Sequence, residues 1–239
     1  TRHLRQIEAF FKKYDQFEDA TRCESNALKA FLDGERRCRV TNKRLTHYFL
    51  HEDRLTPLIS EYVDEIRRIV RRTLGSVRGF LDSIPSNIRV SAGATASNSR
   101  NASHPLLKLA EHAVAGNPSF EPLYRALCAA TGVEPGRFMP QLWNRIEFVS
   151  KNWKTKRTIA CEPTSMMPVQ LAFDAFAKRK LRFIGVTLES QCRNQELARQ
   201  ASLWGCFTTV DLKGASDSEA LDLVHYLFPD EWAELLMRL

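Results

Sequence analysis

The chain has 239 residues, enough to bury a substantial core in one or two domains, and its 44% hydrophobic and 26% charged residues exclude a disordered or collagen-like polypeptide. The formal charge is +7, which favours a polyanionic partner and equally fits a basic fold that merely stays soluble. No apolar run approaches the ~18 residues that span a bilayer, no charged-then-apolar leader opens the chain, and the six cysteines contain no C-x-x-C pair.

Zinc ligation and a disulfide framework are therefore not expected, and the thiols read as reduced and mostly buried in a cytosolic protein. The chain begins with Thr1 and stops at Leu239 inside an apparent helix, so both ends read as cut.

From the N-terminus, Leu4, Ile7, Phe10, Phe11, Tyr14 and Phe17 recur at helical spacing. A second helical pattern covers 24–51 and is expected to break near Gly34. Pro57 suits the first turn of a third helix, whose apolar stripe runs from Leu58 to Val70. Residues 82–105, with Pro85, Gly93 and Pro105 among many Ser, Asn and Ala, predict a long loop. Helix resumes over 105–131 around an interruption at Gly116-Asn117-Pro118. From 145 to 162 the pattern turns extended, because Ile146, Phe148, Thr158, Ile159 and Cys161 favour strands. A helix over 166–182 tolerates Pro168 in its first turn. Cys206–Leu212 reads as a strand, and Ser216 with Glu219 as the capping box of a helix that ends before Pro229.

Four features carry chemistry. The strand at 206–212 delivers Asp211 onto a turn of small residues, where a carboxylate can hold a divalent cation or bond local amides. Asp217, six positions on, can bond a ribose hydroxyl or simply favour the positive end of a helix. Lys151, Lys154, Lys156 and Arg157 crowd seven residues. In a strand, Lys154 and Lys156 point the same way and converge on one anion, and Arg157 offers a bidentate fork to phosphate. Trp153 and Trp143 add faces for base stacking, while a solvated basic turn is the plainer reading. Arg67, Arg68, Arg71 and Arg72 form a helix face that fits an RNA backbone, Arg67 and Arg71 foremost. It fits a solvated surface paired with Glu61, Asp64 and Glu65 equally well. His47 and His51 stand one helical turn apart with no evident third ligand. Phosphate-binding and dinucleotide glycine motifs are absent, as is H-E-x-x-H.

Lys151-Asn152-x-Lys154-Thr155-x-Arg157-x-Ile159-Ala160-x-Glu162-Pro163, and then Thr209-Val210-Asp211-Leu212-x-x-Ala215-Ser216-Asp217-Ser218, together resemble the replicase of the leviviruses, the small single-stranded RNA bacteriophages. The stretch Glu35–Leu45 and Gly93-Ala94-Thr95 are similar too. That family is an RNA-dependent RNA polymerase.

The resemblance implies an α+β fold: mostly helical fingers over 1–200, including the cationic segment 145–162, then the first strand and following helices of an incomplete palm over 201–239, with no thumb. It implies that Asp211 is catalytic and ligates magnesium, two ions being present in the complete enzyme. Lys154, Lys156, Arg157 and Asp217 would bind the nucleotide. Lys151, Trp153, Arg67 and Arg71 would contact RNA. RNA template and product, nucleoside triphosphates and host translation elongation factors would be partners, in the cytoplasm of a bacterial host and away from any membrane. The chain contains no Gly-Asp-Asp, so the isolated polypeptide is expected to bind RNA or nucleotide weakly and not to polymerise. The alternative is a non-catalytic basic RNA-binding module.

Overall fold

A computed structural model describes residues 2–12, 19–98, 104–208, 210, 212 and 214–239. Helix dominates and two small sheets accompany it, as an α+β chain requires. The helices are α1 (Arg2–Lys12), α2 (Ala20–Leu50), α3 (Pro57–Leu74), α4 (Val77–Asn87), α5 (Pro105–Leu109), α6 (Glu121–Thr131), α7 (Met167–Phe183), α8 (Cys192–Trp204), α9 (Leu221–Leu227) and α10 (Asp230–Arg238). The strands are β1 (Ala113–Gly116), β2 (Arg137–Pro140), β3 (Arg145–Asn152) and β4 (Thr155–Cys161). The chain divides into two compact units, Thr1–Val40 with Ser91–Met167, and Thr41–Val90 with Pro168–Leu239.

In the first unit β1 and β2 pair in parallel, from Ala113 opposite Arg137 to Gly116 opposite Pro140, and α6 makes the crossover that parallel strands need. Val114, Phe120, Tyr124 and Cys128 are buried around it. The Tyr124 hydroxyl donates to the Leu109 carbonyl at 3.0 Å and accepts from the Gly136 amide at 3.2 Å. A Cβ on Gly136 would collide with the Glu111 carbonyl, so only glycine lets these two segments pass so closely. β3 and β4 form the second sheet, an antiparallel hairpin.

The second unit packs around aromatics. Phe80 of α4, Phe173 and Phe176 of α7, and Trp232 of α10 stand with ring centroids 5.4–6.0 Å apart. Phe80 and Trp232 are fully buried, and the indole N–H donates to the Gly75 carbonyl at 2.7 Å. A buried indole needs such a partner for its one polar atom.

Several expectations are met: extended chain over 145–162, which forms β3 and β4, α7 with Pro168 in its first turn, and Pro57 opening α3. Tyr14 and Phe17 lie outside the described residues.

Other expectations are corrected. Gly34 does not interrupt α2, because one interior glycine costs only about 1 kcal/mol and this one is buried, as Cys23 and Ala27 are, in a 31-residue helix. The predicted loop begins later, since α4 carries Pro85 in its last turn and runs to Asn87. Helix over 105–131 is replaced by α5, β1 and α6, because Val114 and Ala115 enter the core as a strand.

Of the strand expected at Cys206–Leu212, the described residues 206–208, 210 and 212 are not in a strand, and Phe207, Val210 and Leu212 are exposed. A β-branched run without a neighbouring strand has nowhere to place its backbone bonds. The capping box is also replaced. Ser216–Ser218 is one 3-10 turn, and α9 starts at Leu221 after Ala220, whose side chain makes no cap. The first turn of α9 is instead capped from α2, where the Asn42 side-chain oxygen accepts from the Asp222 amide at 3.0 Å.

Candidate functional site

The β3–β4 hairpin concentrates the predicted cations. Its strands pair from Arg145 opposite Cys161 to Asn152 opposite Thr155, with an irregularity between Ser150 and Asn152. Trp153 and Lys154 form the tip, and the Asn152 side-chain oxygen accepts from the amides of Lys154 at 3.0 Å and Thr155 at 3.1 Å. An Asn that bonds amides two and three residues on is a turn-former by mechanism.

The cations do not all converge. Lys154 sits in the turn rather than in a strand, and its ammonium lies 4.8 Å from the centre of the Trp153 ring. Lys156 pairs with Ser150 and Arg157 with Val149, so the two side chains leave opposite faces of the hairpin. Lys156 is nearly buried, and its Nζ stands 2.9 Å from Glu24 Oε1 of α2. Lys151, Lys154 and Arg157 are exposed, as are Trp153 and Trp143.

The hairpin is fastened to the start of α2. Cys23 Sγ donates to the Trp153 carbonyl at 3.3 Å and Asn26 Nδ2 to the Lys154 carbonyl at 2.9 Å. Thr158 Oγ1 donates to the Ala27 carbonyl at 3.4 Å. Sequence reasoning missed Glu24 and Asn26, because nothing local marks a partner some 130 positions away.

Beyond the far end of the hairpin lies a polar network of the same unit. The Thr95 and Thr164 hydroxyls are 2.6 Å apart, and Thr164 donates to Glu111 Oε2 at 3.2 Å. Burial pushes the Glu111 carboxyl up, against the opposing pull of Thr164, Ser97 and Lys108. Lys108 is fully buried, and burial pulls its ammonium down while Nζ donates to the Ser91 carbonyl at 2.7 Å. Its place between Leu107 and Leu109 was the one local sign of burial. Arg145 donates to the Thr95 carbonyl at 3.2 Å, and Asn144 to Glu162 at 2.9 Å.

In the second unit, Arg67 is already engaged. It donates to Glu52 at 2.6 Å and to the Tyr226 carbonyl at 2.8 Å, with its guanidinium 4.4 Å from the Tyr226 ring centre. The hydrogen bond from Arg67 holds the Glu52 carboxyl below its usual range and raises the guanidinium in turn. Arg68 is paired with Glu65. Arg71 lines a cavity of about 560 Å³ with Phe49, His225, Tyr226 and Phe228. Asp217 is exposed in the 3-10 turn, 3.4 Å from the Ser216 hydroxyl. Asp211 lies outside the described residues. The His47 and His51 rings are 4.7 Å apart. Among the described residues no three or more His, Cys, Asp or Glu gather to hold a metal, and no helix is long and apolar enough to cross a membrane. None of the six cysteines is in a disulfide, and Cys192 and Cys206 are exposed.

The family model for the RNA replicase β-chain matches residues 4–239. The chain belongs to the RNA replicase β-chain family. In that family it is similar to the RNA-directed RNA polymerase subunit beta of Escherichia virus Qbeta, at 35% identity over 230 residues, covering 95% of this chain and 38% of the relative. The same protein of Qbeta virus strain MX1 is 35% identical over 224 residues, covering 94% and 38%. The RNA-directed RNA polymerase beta chain of Escherichia phage MS2 is 30% identical over 200 residues, covering 80% and 36%. This β-chain member thus spans well under half the length of the polymerases it matches.

Proposed function

We propose that the chain is the N-terminal part of a phage RNA-directed RNA polymerase, and that its cationic hairpin receives the triphosphate of an incoming nucleotide. The observation that carries this reading is the hairpin itself: Lys151, Lys154 and Arg157 stand exposed on a hairpin whose tip α2 holds in place. Ammonium and guanidinium groups fixed in advance offset the charge that builds on the phosphates during transfer, without reorganising at the moment of reaction. The guanidinium of Arg157 can take two phosphate oxygens at once, while the lysines act as point charges. Trp153 offers a partly exposed ring to an RNA base, and Lys151 a contact to the backbone.

Asp211 enters by resemblance, as a catalytic ligand of magnesium, which in polymerases neutralises phosphate charge and activates the attacking oxygen. The exposed cations of the hairpin carry the part of the proposal that is argued from described residues. Asp217 is proposed to bond the ribose, and Arg67 and Arg71 to meet RNA. Of these two, Arg71 is the better placed, because Arg67 would have to leave Glu52. RNA template and product, host translation elongation factors and the host cytoplasm belong to the same proposal, as do fingers over 1–200 and the start of a palm over 201–239.

Steady-state incorporation by the replicase polypeptide tests the hairpin. Arg157→Ala should raise KM for nucleoside triphosphate about tenfold while RNA affinity stays close to that of the unaltered protein. An unchanged KM would remove the hairpin from nucleotide binding.

A further inference from the structure

The structure assigns Lys156 a different task from its cationic neighbours: with Glu24 and Asn26 it forms a clamp that positions the hairpin tip, and it does not itself hold phosphate. This inference rests on the triphosphate reading only for the purpose of the clamp, not for its existence.

Four observations carry it. Lys156 leaves the face of the hairpin opposite Arg157, so the two cannot converge on one anion from the same side. Its side chain is only 14% exposed, and its ammonium already has a carboxylate at 2.9 Å. Taking up an external phosphate would strip Glu24 of its partner and draw a nearly buried cation out of its packing. Both carbonyls of the tip, those of Trp153 and Lys154, accept from Cys23 and Asn26. The helix residues involved fall within one turn and a half of α2, from Cys23 to Ala27, so a single rigid element fixes both the tip backbone and the strand behind it.

A clamp of this kind makes Glu24 and Asn26 positioning residues for the exposed cations. Their loss should act through the orientation of Lys154 and Arg157, and reversing the Lys156–Glu24 pair should be tolerated. A phosphate ligand, by contrast, cannot change sign.

Amide exchange of the whole chain, followed at Lys154 and Thr155, whose amides bond Asn152 within the turn that the clamp holds, reports the clamp through the steadiness of that turn. Glu24→Gln and Lys156→Gln should each speed exchange by about threefold, and Glu24→Lys combined with Lys156→Glu should return it toward the original rate. The same variants in the replicase polypeptide should raise nucleotide KM by similar factors with little change in turnover, and the reversed pair should recover. Exchange that ignores Glu24→Gln would overturn the clamp. So would a reversed pair that binds nucleotide as poorly as Lys156→Glu alone while Glu24→Gln binds normally, because Lys156 would then be a phosphate ligand. Arg157→Ala separates the two ideas: a normal KM there, with exchange still governed by the Lys156–Glu24 pair, would leave the clamp standing and sink the triphosphate reading.

Discussion

Glu111 shows what burial does to a single group in this fold. Two hydroxyls and the Lys108 ammonium favour its ionised form, yet loss of water around it outweighs them and pushes its carboxyl up. A carboxyl raised on folding contributes stability that is fully present below its unfolded pKa of about 4.3 and is lost as pH rises through the folded value. At neutral pH its charge is therefore a cost. Glu111→Gln, which keeps an oxygen for Thr164 and Ser97, should raise the urea midpoint of the chain at pH 7. The gain should vanish by about pH 4. A gain that instead grows as pH falls would show that the carboxylate is stabilised where it stands. Such partners were not legible beforehand: Glu111 and Glu24 look like ordinary surface acids, and only the fold brings Thr164 and Lys156 to them. The opposite facing of Lys156 and Arg157 was legible, because a strand alternates its side chains whatever surrounds it.

Elements differ in how far local chemistry decides them. The extended chain of the hairpin could be read because Ile146, Phe148, Thr158, Ile159 and Cys161 favour strands, and α7 because its pattern and its early proline agree, whereas the bonds by which Asn152 makes the turn came from the structure. Cys206–Leu212 could not, since a strand is completed by a neighbour that the segment does not encode. The cap of α9 failed for the same reason: Asn42, 180 positions away, supplies what Ser216 and Glu219 were expected to supply. Asn42→Ala should accordingly weaken the first turn of α9 by about 1 kcal/mol, the usual worth of a lost N-terminal cap. Faster amide exchange near Asp222 would register it. Ser216→Ala should leave those amides unchanged, and equal effects of both substitutions would restore the local capping box.

Across the whole molecule, the sequence resemblance and the family match agree on an RNA replicase β-chain, with 94–95% of the chain aligned to 38% of two polymerase relatives. The +7 charge suits a partner made of phosphates, but it is the fastening of the hairpin to α2 that turns surplus charge into a placed set of cations. Residue identity along a short motif revealed the family, since Asp211 and Arg157 stand in patterns that tertiary structure is not needed to recognise. The architecture around them depended on distant partners and was less open to reading. The central claim is that this chain supplies the first carboxylate of a polymerase site. It is tested most directly by RNA synthesis and RNA binding measured side by side on the replicase polypeptide carrying Asp211→Asn. Synthesis should be abolished while RNA affinity stays nearly intact; synthesis that survives the substitution would contradict the account.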